Sequence, residues 1–225
     1  MGKDADLRLD YDRAERLGFP EIVYGESKSV DQLQRLVAGF EVRNQGVMIS
    51  RCAPEKAAAL PPRGVYDAVA RTWMHQPVPS PSVPGNVAVV SAGTSDAPVV
   101  REALNTLRFL GVQAMDIQDV GVAAIYRLLE RLDDLAACDV IICVAGFEGA
   151  LASVVAGQCP QPVIAVPTSV GYGVAQNGTA ALHAMLASCA NGLMVMNVDN
   201  GVGAALAARR ILRLLSPCQT ENRTD

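Results

Sequence analysis

Few side chains in this 225-residue chain are reactive, and Cys189 is the best candidate nucleophile among them. It stands in ALHAMLASCANGLMVMNVDNGVGA, at the end of an expected helix and just before an expected buried strand that opens into an Asp-Asn-Gly loop. A thiol reaching the edge of an α/β sheet where ligands bind could attack an electrophile, although free cysteines are more often buried and inert. Cys138 and Cys143, beside and within the apolar run DVIICV, fit that inert class. His183 lies six residues before Cys189, a spacing that puts the two on different helix faces and gives no Cys-His dyad.

Glu148 occupies the glycine-bracketed turn AGFEGA with Gly146. A carboxylate that loses solvent there binds protons more tightly and could serve as general base or acid; a glutamate favoured by a helix N-terminus is the equal alternative. In SAGTSD, Ser91, Gly93, Thr94, Ser95 and Asp96 fall on a strand-to-helix turn, where capping and anion binding use the same chemistry. PTSVGYG supplies Thr168, Ser169, Gly171 and Tyr172, suited to close backbone approach and contact with a flat ring, or to an ordinary loop. Asp199, Asn200 and Gly201 form a further turn of low specificity, expected with Gly146 to contribute to ligand binding. The six cysteines show no CxxC pair and the two histidines, His75 and His183, are far apart, so no protein-built metal site is expected.

These segments need a scaffold that collects them. From Asn86 onward, apolar runs alternate with helical stretches. Expected strands are NVAVVSAG, GVQAMDIQ, DVIICVAG, PVIAVPT and GLMVMNVD; expected helices span 96–110, 123–135, 150–156, 179–187 and 202–215. Continuous rather than alternating Val/Ile runs mean strands covered on both faces, hence an α/β fold with a flavodoxin-like doubly wound parallel sheet. Ligands of such sheets lie outside the carboxyl ends of the strands, where SAGTSD, DVGV, AGFEGA, PTSVGYG and NVDNGVGA fall. The proline-rich QPVPSPSVPG divides this part, 80–225, from a small N-terminal α+β domain, 1–79. Within the smaller part we expect a helix over 30–40, a strand over 46–51, a short helix near 55–60 and a strand-like YDAVARTWMH.

A net charge of -4 and a pI near 5.2 give no broad cationic face, which argues against nucleic acid and anionic membranes as partners. Apolar runs are too short to span a bilayer and MGKDADLRLDYDR has no signal-peptide core, so a cytoplasmic protein is expected.

Taken in order, GFPEIVYGESKS, SAGTSDAPVVREA, DVGVAAIYRLLERL, VAGFEGALASVVAG, PVIAVPTSVGYG and SCANGLMVMNVDNGVGA resemble the LarB family over nearly the whole chain. LarB enzymes are carboxylase/hydrolases that start nickel-pincer nucleotide synthesis, with a catalytic domain similar to PurE, the aminoimidazole ribonucleotide carboxylase. PurE enzymes carry Ser-Ala-His-Arg-Thr after the second strand; DIQDVGVAAIY stands here without a histidine, which disfavours the PurE reaction. Tyr126 occupies a place where a LarB histidine is expected.

The resemblance implies conversion of nicotinic acid adenine dinucleotide, CO2 and water to pyridinium-3,5-biscarboxylic acid mononucleotide and AMP. It identifies Cys189 as the covalent cysteine, with Glu148 the first candidate for removing the ring proton and Asp96 its rival. Ser91, Gly93, Thr94 and Ser95 would hold carboxylate or phosphate groups, while Thr168, Ser169, Gly171 and Tyr172 would line the ring pocket. It also implies a homo-octamer, and Mg2+ bridging the phosphates is expected because the chain offers few cations. A PurE-type carboxylase and a non-catalytic dinucleotide sensor are the alternatives.

Overall fold

The computed structural model describes residues 7, 9–76 and 82–215. Residues 77–81 of the proline-rich divider and the tail with Cys218 lie outside the described residues.

The larger part forms a five-stranded sheet of β5 (Asn86–Ser91), β6 (Gln113–Ile117), β7 (Val140–Ala145), β8 (Val163–Pro167) and β9 (Met194–Val195). Its order is β6-β5-β7-β8-β9 and every pairing is parallel, the doubly wound arrangement expected from the apolar runs. Alternate residues feed two cores. Val87, Val89, Ile142, Val144, Ile164 and Val166 pack against α4 (Ala97–Phe109) and α9 (Gly201–Leu212). Ala88, Val90, Ile141, Cys143 and Ala165 face the other way, toward α5 (Tyr126–Leu129), α6 (Leu132–Ala136), α7 (Ala150–Gln158) and α8 (Thr179–Leu186).

Two expected elements are shorter or broken. The helix expected over 123–135 divides into a 3-10 turn, α5 and α6, because Asp133 and Asp134 favour a new helix N-terminus after Arg131. GLMVMNVD pairs over only two residues. Beyond them Met196 N–H donates to Ala165 and Asp199 N–H to Pro167, so three residues advance against two and the strand bulges away.

The smaller sheet contains β1 (Glu21–Tyr24), β2 (Val47–Ser50), β3 (Val65–Asp67) and β4 (Thr72–His75), in the order β1-β2-β4-β3. Its helices are α1 (Arg13–Leu17), α2 (Val30–Val42) and α3 (Pro54–Ala58). Ser29 and Gln32 make a reciprocal capping box at α2, whose Leu33, Leu36, Val37 and Phe40 recur at helical spacing and are buried. The segment YDAVARTWMH is a hairpin rather than one strand: Asp67 accepts the N–H groups of Val69 and Ala70 at 3.0 and 3.2 Å, and Arg71 closes the turn at φ 52°. No described helix is long and apolar enough to cross a membrane.

The two sheets share one core. Met48 and Met74 project from the small sheet into the cluster formed by α4 and α9, while Val47 and Ile49 face α2. Polar contacts fix the register: Asp67 accepts from Arg101 Nε at 2.8 Å and from Asn105 Nδ2 at 2.9 Å. Glu102 is 3 % exposed and accepts from Arg51 Nε at 3.2 Å and from the N–H groups of Gly201 and Val202, at the start of α9. Replacing Glu102 by Ala strips Arg51 and the α9 terminus of their acceptor. We expect a loss of about 2–4 kcal/mol, discounted for the partial exposure of Arg51, read as a lower denaturant midpoint, with Glu102→Gln intermediate.

Candidate active site

The carboxyl ends of β5, β7 and β8 converge on a cavity of about 320 Å3. Gly93, Ser95, Asp96, Gly146 and Glu148 all line it, as the topology requires of turns that leave neighbouring parallel strands. Most of the remaining wall is apolar, including Val122, Leu151 and Val170. Gly146 is obligatory for the close approach of two loops: a Cβ there would lie 2.5 Å from the Val170 carbonyl oxygen and 2.6 Å from Thr168 Oγ1.

Asp96 is the buried acid of the cavity, 3 % exposed. One carboxylate oxygen accepts from Thr168 Oγ1 at 2.8 Å and the other from Gly93 N–H at 3.0 Å. Burial pushes its proton affinity above the ordinary aspartate range; these two hydrogen bonds oppose the shift and the charge of Asp199 adds to it. Thr168 is wholly buried and therefore positions Asp96 behind the cavity. Ser91 is also wholly buried, and its hydroxyl has no partner among the described residues.

The desolvated carboxylate expected at Glu148 is instead Asp96. Glu148 is exposed, because the turn places Phe147 at φ 53° and Gly149 at φ 66° on either side of it and leaves it at the mouth of the cavity. Phe147 packs edge-on against Tyr172, with ring centroids 5.6 Å apart, so the ring expected to line the pocket lies at its rim, 79 % exposed. Thr94 is exposed on the turn after β5. Gly171 takes φ 148° and its Cβ position would meet the Ala175 carbonyl at 2.8 Å, a backbone role.

A second set of expected residues lies on the adjoining loops. Asp199 accepts Ser169 N–H at 2.8 Å, and both line a smaller cavity with Ser95. Asn200 and Gly201 serve the fold. Asn200 caps α9 through Gly203 N–H, while Gly201 gives its N–H to Glu102 and lies so close to α4 that a Cβ would be 2.7 Å from Val99 oxygen.

Cys189 does not line the cavity. It is exposed in the connection between α8 and β9, whose neighbour Ser188 shares a 2.7 Å hydrogen bond with Ser153 of α7. The expectation that it sits at the ligand edge of the sheet is corrected: its segment precedes β9, and the ligand edge follows the strands. Cys138 and Cys143 are buried, and burial drives the Cys143 thiol far above its ordinary range. Neither histidine lines the cavity.

For Mg2+, no three His, Cys, Asp or Glu side chains converge among the described residues. The donor set does not form a cage for it, and no residue is assigned to it. Sequence reading missed Arg51, Arg71 and Glu102, which belong to turns and helices far apart in the chain; the one available signal was an arginine directly after the Val47–Ser50 strand.

Residues 86–223 match the AIR carboxylase family and residues 4–77 the LarB/PurE-like N-terminal domain. An uncharacterized protein of Methanocaldococcus jannaschii is 37 % identical over 93 % of this chain and 85 % of its own length. The crystal structures of Treponema denticola PurE and of a substituted PurE2 from the same organism are each 22 % identical, cover 57 % of this chain and 80 % of theirs, and superpose with TM-scores of 0.49 and 0.48. With the N-terminal domain and the PurE-like domain both matched in order along one chain, the protein belongs to the LarB family.

Proposed function

We propose that this protein carboxylates and cleaves nicotinic acid adenine dinucleotide, giving pyridinium-3,5-biscarboxylic acid mononucleotide and AMP. The observation that carries this reading is a buried, hydrogen-bonded Asp96 in a largely apolar cavity, on a chain whose two domains match the LarB pair. The absence of histidine from DIQDVGVAAIY and from the cavity wall favours it over aminoimidazole ribonucleotide carboxylation.

A pyridinium ring is electron-poor and does not attack CO2. Addition of the Cys189 thiolate to the ring carbon para to nitrogen forms a C–S bond and moves an electron pair into the ring, giving a dihydropyridine. Its enamine carbon then bonds to CO2. Asp96 takes the proton from that carbon, and departure of the thiolate breaks the C–S bond and restores the pyridinium. Water separately cleaves the phosphoanhydride to release AMP; any Mg2+ would arrive on the phosphates themselves. Asp96 replaces Glu148 as the favoured base because it is buried in the cavity, while Glu148, exposed at the mouth, is suited to meeting substrate on entry. The cavity wall and the Ser/Thr-rich turns would hold the ring and its carboxylate.

An exposed Cys189 outside the cavity of its own chain has a direct consequence for this chemistry. On this reading a second copy presents the thiol, which accords with the homo-octamer that the family resemblance implies.

Cys189→Ser should abolish carboxylated product, read by mass spectrometry, without altering the assembly. Mixed assemblies of Cys189→Ser and Asp96→Asn chains should regain part of the activity that each lacks alone, since some sites combine an intact thiol with an intact acid. No recovery on co-assembly would place thiol and acid in the same chain.

Asp96→Asn should form the cysteinyl adduct yet lower turnover by roughly 10²-fold or more. The base acts only when deprotonated, and its folded proton affinity is raised. Wild-type kcat should therefore fall as pH drops through a value above the ordinary aspartate range, and this acidic limb should be missing in Asp96→Asn. A limb retained in the variant would assign it to another group.

A further inference from the structure

A second cavity, of about 170 Å3, opens where the N-terminal domain meets the sheet of the larger part. Arg51 and Arg71 enter its wall from the small domain, and Ser95, Ser169 and Asp199 from the turns after the large strands. It shares Ser95 and Val170 with the catalytic cavity, so the two spaces adjoin.

We propose that Arg51 and Arg71 form the phosphate-binding arm of the site, holding the phosphates of a nucleotide whose reacting ring lies in the neighbouring cavity. The arginines are placed for this by their backbones. Both take the left-handed conformation, at φ 51° and 52°, which non-glycine residues adopt at a cost, and Cys52 N–H donates to the Arg71 carbonyl at 2.7 Å to lock the two turns together. Arg51 is held by Glu102 and by the Asp199 carbonyl, which leaves its remaining N–H groups available. Arg71 is half-buried, and its guanidinium makes no hydrogen bond or ion pair among the described residues.

The acids of the wall narrow the ligand class. Glu102 is occupied by Arg51 and the α9 amides. Asp199 uses one oxygen on Ser169 N–H; its other oxygen opposes a bare anion but suits ribose hydroxyls. The cavity thus selects a nucleoside phosphate over an inorganic anion, and the small domain becomes part of the binding machinery.

Naming a nucleotide rests on the reaction proposed above, and ADP is the probe that separates the two. Calorimetry on the whole protein should show ADP binding that Arg71→Gln weakens about tenfold or more, the scale of a lost charge-assisted contact. The KM for nicotinic acid adenine dinucleotide should rise in parallel while kcat is kept. Inorganic diphosphate should bind more weakly than ADP. If Arg71→Gln melts early, Arg71→Lys carries the test: it keeps the charge, loses the fork and should bind ADP severalfold more weakly than wild type. Unchanged ADP affinity in a folded variant, no ADP binding by wild type, or diphosphate binding as tight as ADP would overturn the assignment. Arg71-dependent ADP binding without carboxylation would sink the reaction and leave the arm standing; carboxylation with ADP affinity indifferent to Arg71 would do the reverse.

Discussion

The carboxylate of Glu102 joins three parts of the chain that sequence keeps far apart. It sits on α4, receives Arg51 from the small domain, and accepts the first N–H groups of α9. A buried acid is costly unless its oxygens are matched by donors, and burial does raise its proton affinity against the opposing pull of Arg51 and the amides. That cost is offset only when all three elements are in place. The same contact fixes Asp199, whose carbonyl receives Arg51 and whose carboxylate receives Ser169 N–H.

Around this junction small residues do the packing. Ala103 of α4 and Ala204, Ala205 and Ala208 of α9 are all buried, and Gly201 permits the helices to approach at a distance no side chain would allow. Close packing there brings the turn after β9 beside the turns after β5 and β8. The acidic Asp96 and the basic Arg51 and Arg71 thus lie on adjoining walls, in two cavities that share Ser95 and Val170.

Cys189 illustrates how topology limits a single chain. In a parallel sheet every turn that follows a strand gathers at one edge, and every connection that enters a strand does not. Asp96, Gly146, Glu148 and Thr168 follow strands and gather; Cys189 precedes β9 and stays outside. It is exposed beside α7, and the rings of Phe147 and Tyr172 are exposed at the cavity rim.

What the sequence determined by itself was whatever depends on neighbours along the chain. Doubly covered strands showed in the runs VAVV, VIICV and VIAVP, the α2 helix in residues 30–40, and the ligand edge in the turns that follow β5, β7 and β8, because apolar continuity and helical periodicity are local properties. Family resemblance was legible for the same reason, in blocks of consecutive residues. Tertiary structure alone decided which of two plausible acids loses water. Asp96 and Glu148 both sit in small-residue turns, yet one is covered by Thr168 and the other is turned out by two left-handed residues. It also decided that Arg51 and Arg71, on separate turns, share a wall with Asp199. Burial and long-range charge pairing arise from surfaces that meet only after folding, and no spacing along the chain encodes them.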